Sequence, residues 1–243
     1  MAVVGIGPGS VEHITIRAKE EIESADVIVG YATYVDLIKP LIKPTAEVIA
    51  GRMGGEIERA KIAVKKALDN KRVAVISSGD AGVYGMAGPV LEVAEAEGAN
   101  IPIEVIPGVT AATAGAAKLG APIMGDFAVI SLSDILTPWS EIEERLRAAA
   151  ESDFVIVLYN PQSKTRQEPM IRAYRILLEY RGVDTPVGIV QKVGRQGEKA
   201  LITTLREMMN HEIDMATTII VGNSKTKIID GKMVTSRGYD VIT

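Results

Sequence analysis

The chain has 243 residues, 47% hydrophobic and 24% charged, which suits a globular protein with a sizeable core in one large or two modest domains. A net charge of −4 speaks against general nucleic-acid binding. Zero cysteines exclude disulfides, thiolate metal sites, iron–sulfur clusters and thiol nucleophiles, and two histidines cannot build a His-rich metal centre, so no metal is expected.

No apolar run reaches the roughly 18–20 residues of a membrane span, and Met1 leads straight into Val3-Val4-Gly5 without a signal-peptide pattern. The expectation is a cytoplasmic protein with no membrane partner.

Residues 2–6 form an apolar strand that runs into Gly5-Ile6-Gly7-Pro8-Gly9-Ser10. A dinucleotide fingerprint needs glycine where Ser10 stands, and Pro8 removes an amide that would cradle a phosphate. The glycines still require a tight strand-end loop. Thr15 is a good N-cap for a helix with Ala18, Ile22 and Ala25 on one face. Residues 26–30 read as a second strand, and 54–70 as an amphipathic helix through Ile57, Ala60, Val64 and Leu68.

The buried strand Val73-Ala74-Val75-Ile76 then delivers Ser77-Ser78-Gly79-Asp80-Ala81-Gly82-Val83-Tyr84-Gly85. Such a stretch cannot be a core element. Its glycines let a ligand approach the backbone, and Asp80 is either a helix cap or a ligand contact. A helix from near Met86 stops at Gly98, residues 103–106 make a strand closed by Pro107-Gly108-Val109-Thr110, and a small-residue helix spans 111–119. Strand–helix alternation implies a mainly parallel sheet covered on both faces. The loops at 5–9, 79–85 and 107–110 all follow strands and so open on the same edge, where such folds bind ligands.

After Gly120-Ala121-Pro122 the texture changes, which places a domain boundary between 1–119 and 120–243. Strands are expected at 127–131, 154–158, 187–190 and 217–221. A helix is expected after Thr137-Pro138 in cap-then-proline order, and another through Ile171, Tyr174 and Leu178. Residues 228–234, with an Asp-Gly turn, read as a hairpin forming an antiparallel edge. The fold class is α/β: two α/β halves with a cleft between them, a mainly parallel N-terminal sheet and a mixed C-terminal one.

Five segments then carry a resemblance: Gly5-Ile6-Gly7-Pro8-Gly9, Ser78-Gly79-Asp80-Ala81, Ile106-Pro107-Gly108-Val109-Thr110-Ala111, Leu158-Tyr159-Asn160-Pro161 and Thr217-Thr218-Ile219-Ile220. In this order and spacing the chain resembles the S-adenosylmethionine-dependent tetrapyrrole methylases over essentially its whole length. Residues 77–87, 126–134 with Thr137-Pro138-Trp139, Ser163 and Arg166, Gly222-Asn223-Ser224 and 235–239 are most similar to the precorrin-3B C17-methyltransferase branch, with Ser236 where proline is common.

The resemblance implies S-adenosyl-L-methionine folded into the interdomain cleft, in contact with Pro8, Ser78, Gly79, Asp80, Val83, Thr110, Ala111 and Asn160, and further with Tyr84, Tyr159 and Thr218. It also implies a homodimer, and methylation of a precorrin at C17 coupled to ring contraction. The substrate's many carboxylates call for cations, for which Lys164, Arg166, Lys192, Arg195 and Arg237 are the candidates; Lys164 and Arg166 are equally readable as solvated surface charge, and Arg195 reads more readily as surface.

No catalytic triad is visible. Ser131, Ser133 and Asp134 either cap the next segment, hydrogen-bond pyrrole edges or move a proton during contraction. His13 is a local hydrogen-bonding residue or a group at the macrocycle. The rival readings are methylation of another corrin carbon, a dinucleotide-dependent oxidoreductase using Gly5–Gly9, and a non-catalytic cofactor-binding module.

Overall fold

The computed structural model describes residues 1–163 and 165–239, and divides the chain into two compact units, Met1–Ala111 and Ala112–Thr243. The first unit contains β1 (Ala2–Gly5), α1 (Ile16–Ser24), β2 (Val27–Tyr31), α2 (Ala32–Ile38), β3 (Glu47–Gly51), α3 (Glu56–Leu68), β4 (Val73–Ser77), α4 (Ala87–Ala96) and β5 (Glu104–Ile106). Its five strands pair in the order β3-β2-β4-β1-β5, every pairing parallel.

The inner strands read as unbroken apolar runs because both faces are covered. Val3, Val27, Val29, Val73 and Val75 pack with Ala60 and Val64 of α3 and Val90 and Val93 of α4. The alternate positions Val4, Ile28, Ala74 and Ile76 pack with Ala18 and Ile22 of α1 and Val35 and Ile38 of α2. Thr15 caps α1 as expected, its hydroxyl accepting the Ala18 N–H at 3.2 Å.

The second unit takes in α5 (Ala111–Leu119), apart from its first residue, then β6 (Gly120–Ala121), β7 (Phe127–Ser131), α6 (Trp139–Glu151), β8 (Val155–Tyr159) and α7 (Glu168–Tyr180). It continues with β9 (Pro186–Gln191), β10 (Lys199–Thr204), β11 (Thr217–Val221), β12 (Thr226–Ile229) and β13 (Lys232–Thr235). Its main sheet runs β10-β9-β11-β8-β7 and is mixed: β7 and β8 are parallel, the other pairs antiparallel.

Two details correct the sequence reading. Pro138, not Thr137, occupies the N-cap of α6, and no side chain caps that helix. The Asp230-Gly231 hairpin turns with both residues at positive φ, but it is not an edge of the main sheet: β12 and β13 form a separate three-stranded sheet with β6.

One face of the main sheet, with Ile130, Ile156, Leu158, Val187, Ile189, Ile219 and Val221, packs on α6 and α7. Alternation puts Ser131, Tyr159, Val190 and Thr218 on the other face. There α5 lies close: a Cβ placed on Gly115 would stand 3.7 Å from Val190 Cγ2 and 3.9 Å from Thr218 Cγ2. Its small residues are what permit that approach.

Among the described residues no helix is long and apolar enough to cross a membrane.

Candidate functional site

In the first unit, β1 lies between β4 and β5, so the three glycine loops that follow these strands are neighbours on one sheet edge. They are knitted backbone to backbone. The Ile6 N–H donates to Ser77 O at 2.9 Å, Gly7 N–H to Gly79 O at 3.0 Å, and Gly79 N–H to Gly7 O at 2.7 Å. Gly7 and Gly79 hold φ of +72° and +66°, a region glycine enters without strain.

Asp80 ties the third loop in. Its Oδ1 accepts the Gly82 N–H at 2.8 Å and its Oδ2 accepts the Gly108 N–H at 2.9 Å. The helix-cap reading of Asp80 therefore fails, since α4 begins only at Ala87 and has no side-chain cap. The start of that helix is held instead by buried Ser77, whose Oγ accepts the Met86 N–H at 3.3 Å; the sequence reading assigned Ser77 no such role.

Around this junction Pro8 and Gly79 are buried, and Ser78, Asp80, Val83, Thr110 and Ala111 are half-buried. Tyr84 is 60% exposed at φ +52°. His13 closes a short helical turn capped by Ser10. Its carbonyl stands where a Cβ on Gly7 would come within 2.8 Å, and its Nδ1 is buried without a hydrogen-bond partner among the described residues.

In the second unit, the ends of β7, β8 and β9 and the start of β11 share one edge of the main sheet, because β8 and β9 both run antiparallel to β11. This edge collects Ser131, Ser133, Asp134, Tyr159, Asn160, Lys192 and Thr218. Asn160, at φ +51°, donates from Nδ2 to Ser131 Oγ at 3.0 Å, and the same oxygen accepts the Ser133 N–H at 3.2 Å. Neither Ser133 nor Asp134 caps a helix, since α6 starts at Trp139.

Tyr159 Oη accepts the Ala112 N–H at 2.6 Å, so it satisfies one of the unpaired amides at the start of α5. Tyr159→Phe is expected to leave that amide unpaired and to cost about 1–2 kcal/mol, read as a lowered midpoint in urea denaturation.

The cations separate into distinct groups. Arg166 donates to the carbonyls of Leu132 and Asn160, each at 2.7 Å, and stands 3.8 Å from Asp134 Oδ1. Lys192, exposed at φ +51°, and half-buried Arg195 lie in the turn after β9, where the Arg195 N–H donates to Lys192 O at 2.9 Å. Arg237 is remote from that edge. It lines an open cavity of about 530 Å³ with Asp126, Asp153, Phe154, Asn223 and Lys225, at the opposite ends of β7, β8 and β11. Lys164 lies outside the described residues.

The sequence profile of the tetrapyrrole (corrin/porphyrin) methylases matches residues 1–209. The chain belongs to this family. Among its methylase relatives, a cobalt-factor III methyltransferase of Priestia megaterium is 52% identical over 98% of this chain and 45% of its own length. This chain thus spans under half of that protein. A probable cobalt-factor III C(17)-methyltransferase of Salmonella typhimurium is 46% identical over 98% of this chain and 99% of its own. Among solved methylase structures, that of the methyltransferase CobJ superposes with a TM-score of 0.92 at 35% identity, covering 97% of this chain and 98% of that one. The α/β fold with parallel and mixed sheets is that of the family.

Proposed function

We propose that this protein is an S-adenosylmethionine-dependent C-methyltransferase that methylates C17 of precorrin-3B or its cobalt-bearing counterpart, with contraction of the macrocycle, in cobalamin biosynthesis. The observation that carries the reading is the near end-to-end similarity to the Salmonella C(17)-methyltransferase. Cobalt-factor III, the substrate in the names of both curated relatives, is the tetrapyrrole to test first.

The residues present fit the cofactor. When bound, S-adenosylmethionine supplies a methyl group on a positively charged sulfur. In the first unit, glycine-loop amides suit its carboxylate, and the anionic Asp80 offsets positive charge. Half-buried Val83 and Ala111 offer apolar surface for adenine, and Thr110 offers a hydroxyl.

The chemistry asks the protein to orient donor and acceptor and to exclude water, which accounts for a site of backbone loops without a nucleophile–base pair. The protein would act in the cytoplasm as a homodimer, checked by light scattering on the purified chain.

Calorimetric titration with S-adenosylhomocysteine tests the reading. Saturable binding that accompanies methylation of cobalt-factor III is the expected result. A folded protein that binds neither would overturn it.

A further inference from the structure

On the sequence Arg166 is either a ligand for a substrate carboxylate or a solvated surface charge. Its surroundings assign it other work. The residue closes a turn in which the Ser163 N–H donates to Arg166 O at 2.9 Å and the Arg166 N–H to Ser163 O at 3.3 Å. From there the side chain, 15% exposed, reaches beneath two strand-end loops. Nη1 donates to Leu132 O and Nη2 to Asn160 O, both at 2.7 Å, while Nη2 also lies 3.6 Å from the sulfur of Met215, just before β11. Asp134 Oδ1 at 3.8 Å balances the charge.

The two carbonyls belong to residues flanked by the polar groups of this edge. Leu132 sits between Ser131 and Ser133, and Asn160 carries the amide that bonds Ser131 Oγ. The Leu132 N–H donates to Tyr159 O at 2.9 Å, so the two loops are joined by backbone, by the Asn160–Ser131 side-chain bond and by the guanidinium.

We propose that Arg166 is a positioning residue: its planar fork spans the Leu132 and Asn160 carbonyls and so fixes Ser131, Asp134 and Asn160 relative to one another. A guanidinium presents two parallel donors in a fixed geometry, whereas an ammonium is a single point charge on a flexible stem. A substrate carboxylate would have to reach the remaining N–H groups of a side chain only 15% exposed and compete there with Asp134.

The kinetic consequence rests on the proposed methyltransferase activity; the structural one does not. The experiment compares wild type, Arg166→Ala and Arg166→Lys, with and without methylguanidinium, by hydrogen exchange of segments 131–136 and 159–163 in the substrate-free protein. Steady-state methylation of cobalt-factor III is measured on the same samples.

In Arg166→Ala, exchange is expected to rise in both segments together and to stay unchanged elsewhere. The kcat is expected to fall about 10- to 100-fold while KM stays within about threefold, the signature of misplaced groups rather than a lost ligand. Arg166→Lys should behave like the alanine variant, and methylguanidinium should restore only Arg166→Ala.

A raised KM with intact kcat, restored by Arg166→Lys, would overturn the proposal in favour of a carboxylate ligand. Unchanged exchange in both segments would overturn it as well. Should Arg166→Ala fail to fold, Arg166→Gln, which retains one planar donor group, takes its place and should recover only one of the two protected segments. A wild type that turns over no tetrapyrrole would sink the functional reading and leave the exchange result to decide the role of Arg166.

Discussion

Asp80→Ala is expected to weaken S-adenosylhomocysteine binding about 100-fold, or about 2.7 kcal/mol, in a protein that still folds. The carboxylate accepts the Gly82 and Gly108 amides at 2.8 and 2.9 Å, and so joins the loop after β4 to the loop after β5. Bonds to a charged acceptor contribute about 1.5–3 kcal/mol each, and because Asp80 is half-buried, water recovers part of what the alanine removes.

Asp80→Asn separates the two duties of the residue. An amide keeps one oxygen, but its NH₂ must face the other backbone N–H, so at most half of the loss should be regained. Calorimetry for affinity and thermal denaturation for stability read both effects. Wild-type affinity in a folded Asp80→Ala protein would show that neither the junction nor the charge matters for the cofactor.

Gly108→Ala should have the largest effect on folding. A Cβ there would stand 2.7 Å from both the carbonyl carbon and the oxygen of Gly5, and closer still to the carbonyl oxygen of Gly79. All of these are backbone atoms at the ends of parallel strands, so no side-chain rotation relieves the clash. The loops must separate, breaking the Asp80 tie with them. The expected cost is about 3 kcal/mol or more, seen as a large fall in the denaturation midpoint or as failure to accumulate in soluble form.

Gly88 provides the control. It lies exposed near the start of α4, and nothing outside its own helix comes within 4 Å of where a methyl group would stand. Gly88→Ala should therefore be neutral or gain up to about 1 kcal/mol from helix propensity. Equal effects at the two positions would show that the loop junction is not close-packed.

Much of the fold was legible because its interior strands are buried on both faces and its helices keep a clear apolar period. Val73-Ala74-Val75-Ile76 announces a central parallel strand, and of the apolar series read in α3, Ala60 and Val64 face inward while Ile57 and Leu68 are exposed. The elements that escaped notice are those with weak periods. β3 (Glu47–Gly51) is an edge strand with largely exposed side chains, α2 (Ala32–Ile38) spans only seven residues, and β10 (Lys199–Thr204) pairs on one side only. The hairpin was legible from Asp230-Gly231, but its partner was not, because the two residues of β6 carry no strand signal.

The gathering of the glycine loops on one edge was legible because three of them follow strands of one parallel sheet. What joins them was not. Asp80 meets the amide of a residue 28 positions away. Arg166 illustrates the same limit: in sequence it is a charge in a polar loop, and only the tertiary position of the Leu132 and Asn160 carbonyls distinguishes a clamp from a ligand. Arg237 looked equivalent on charge alone, yet it lies at the far ends of β7 and β8.

The most direct test of the central claim is transfer from S-adenosylmethionine bearing a ¹³C-labelled methyl group to cobalt-factor III, with the product's labelled carbon located by NMR. The account predicts one new methyl at C17 on a ring-contracted macrocycle. A methyl on any other carbon would contradict the assigned position, and no transfer by folded protein that binds S-adenosylhomocysteine would contradict the assigned substrate.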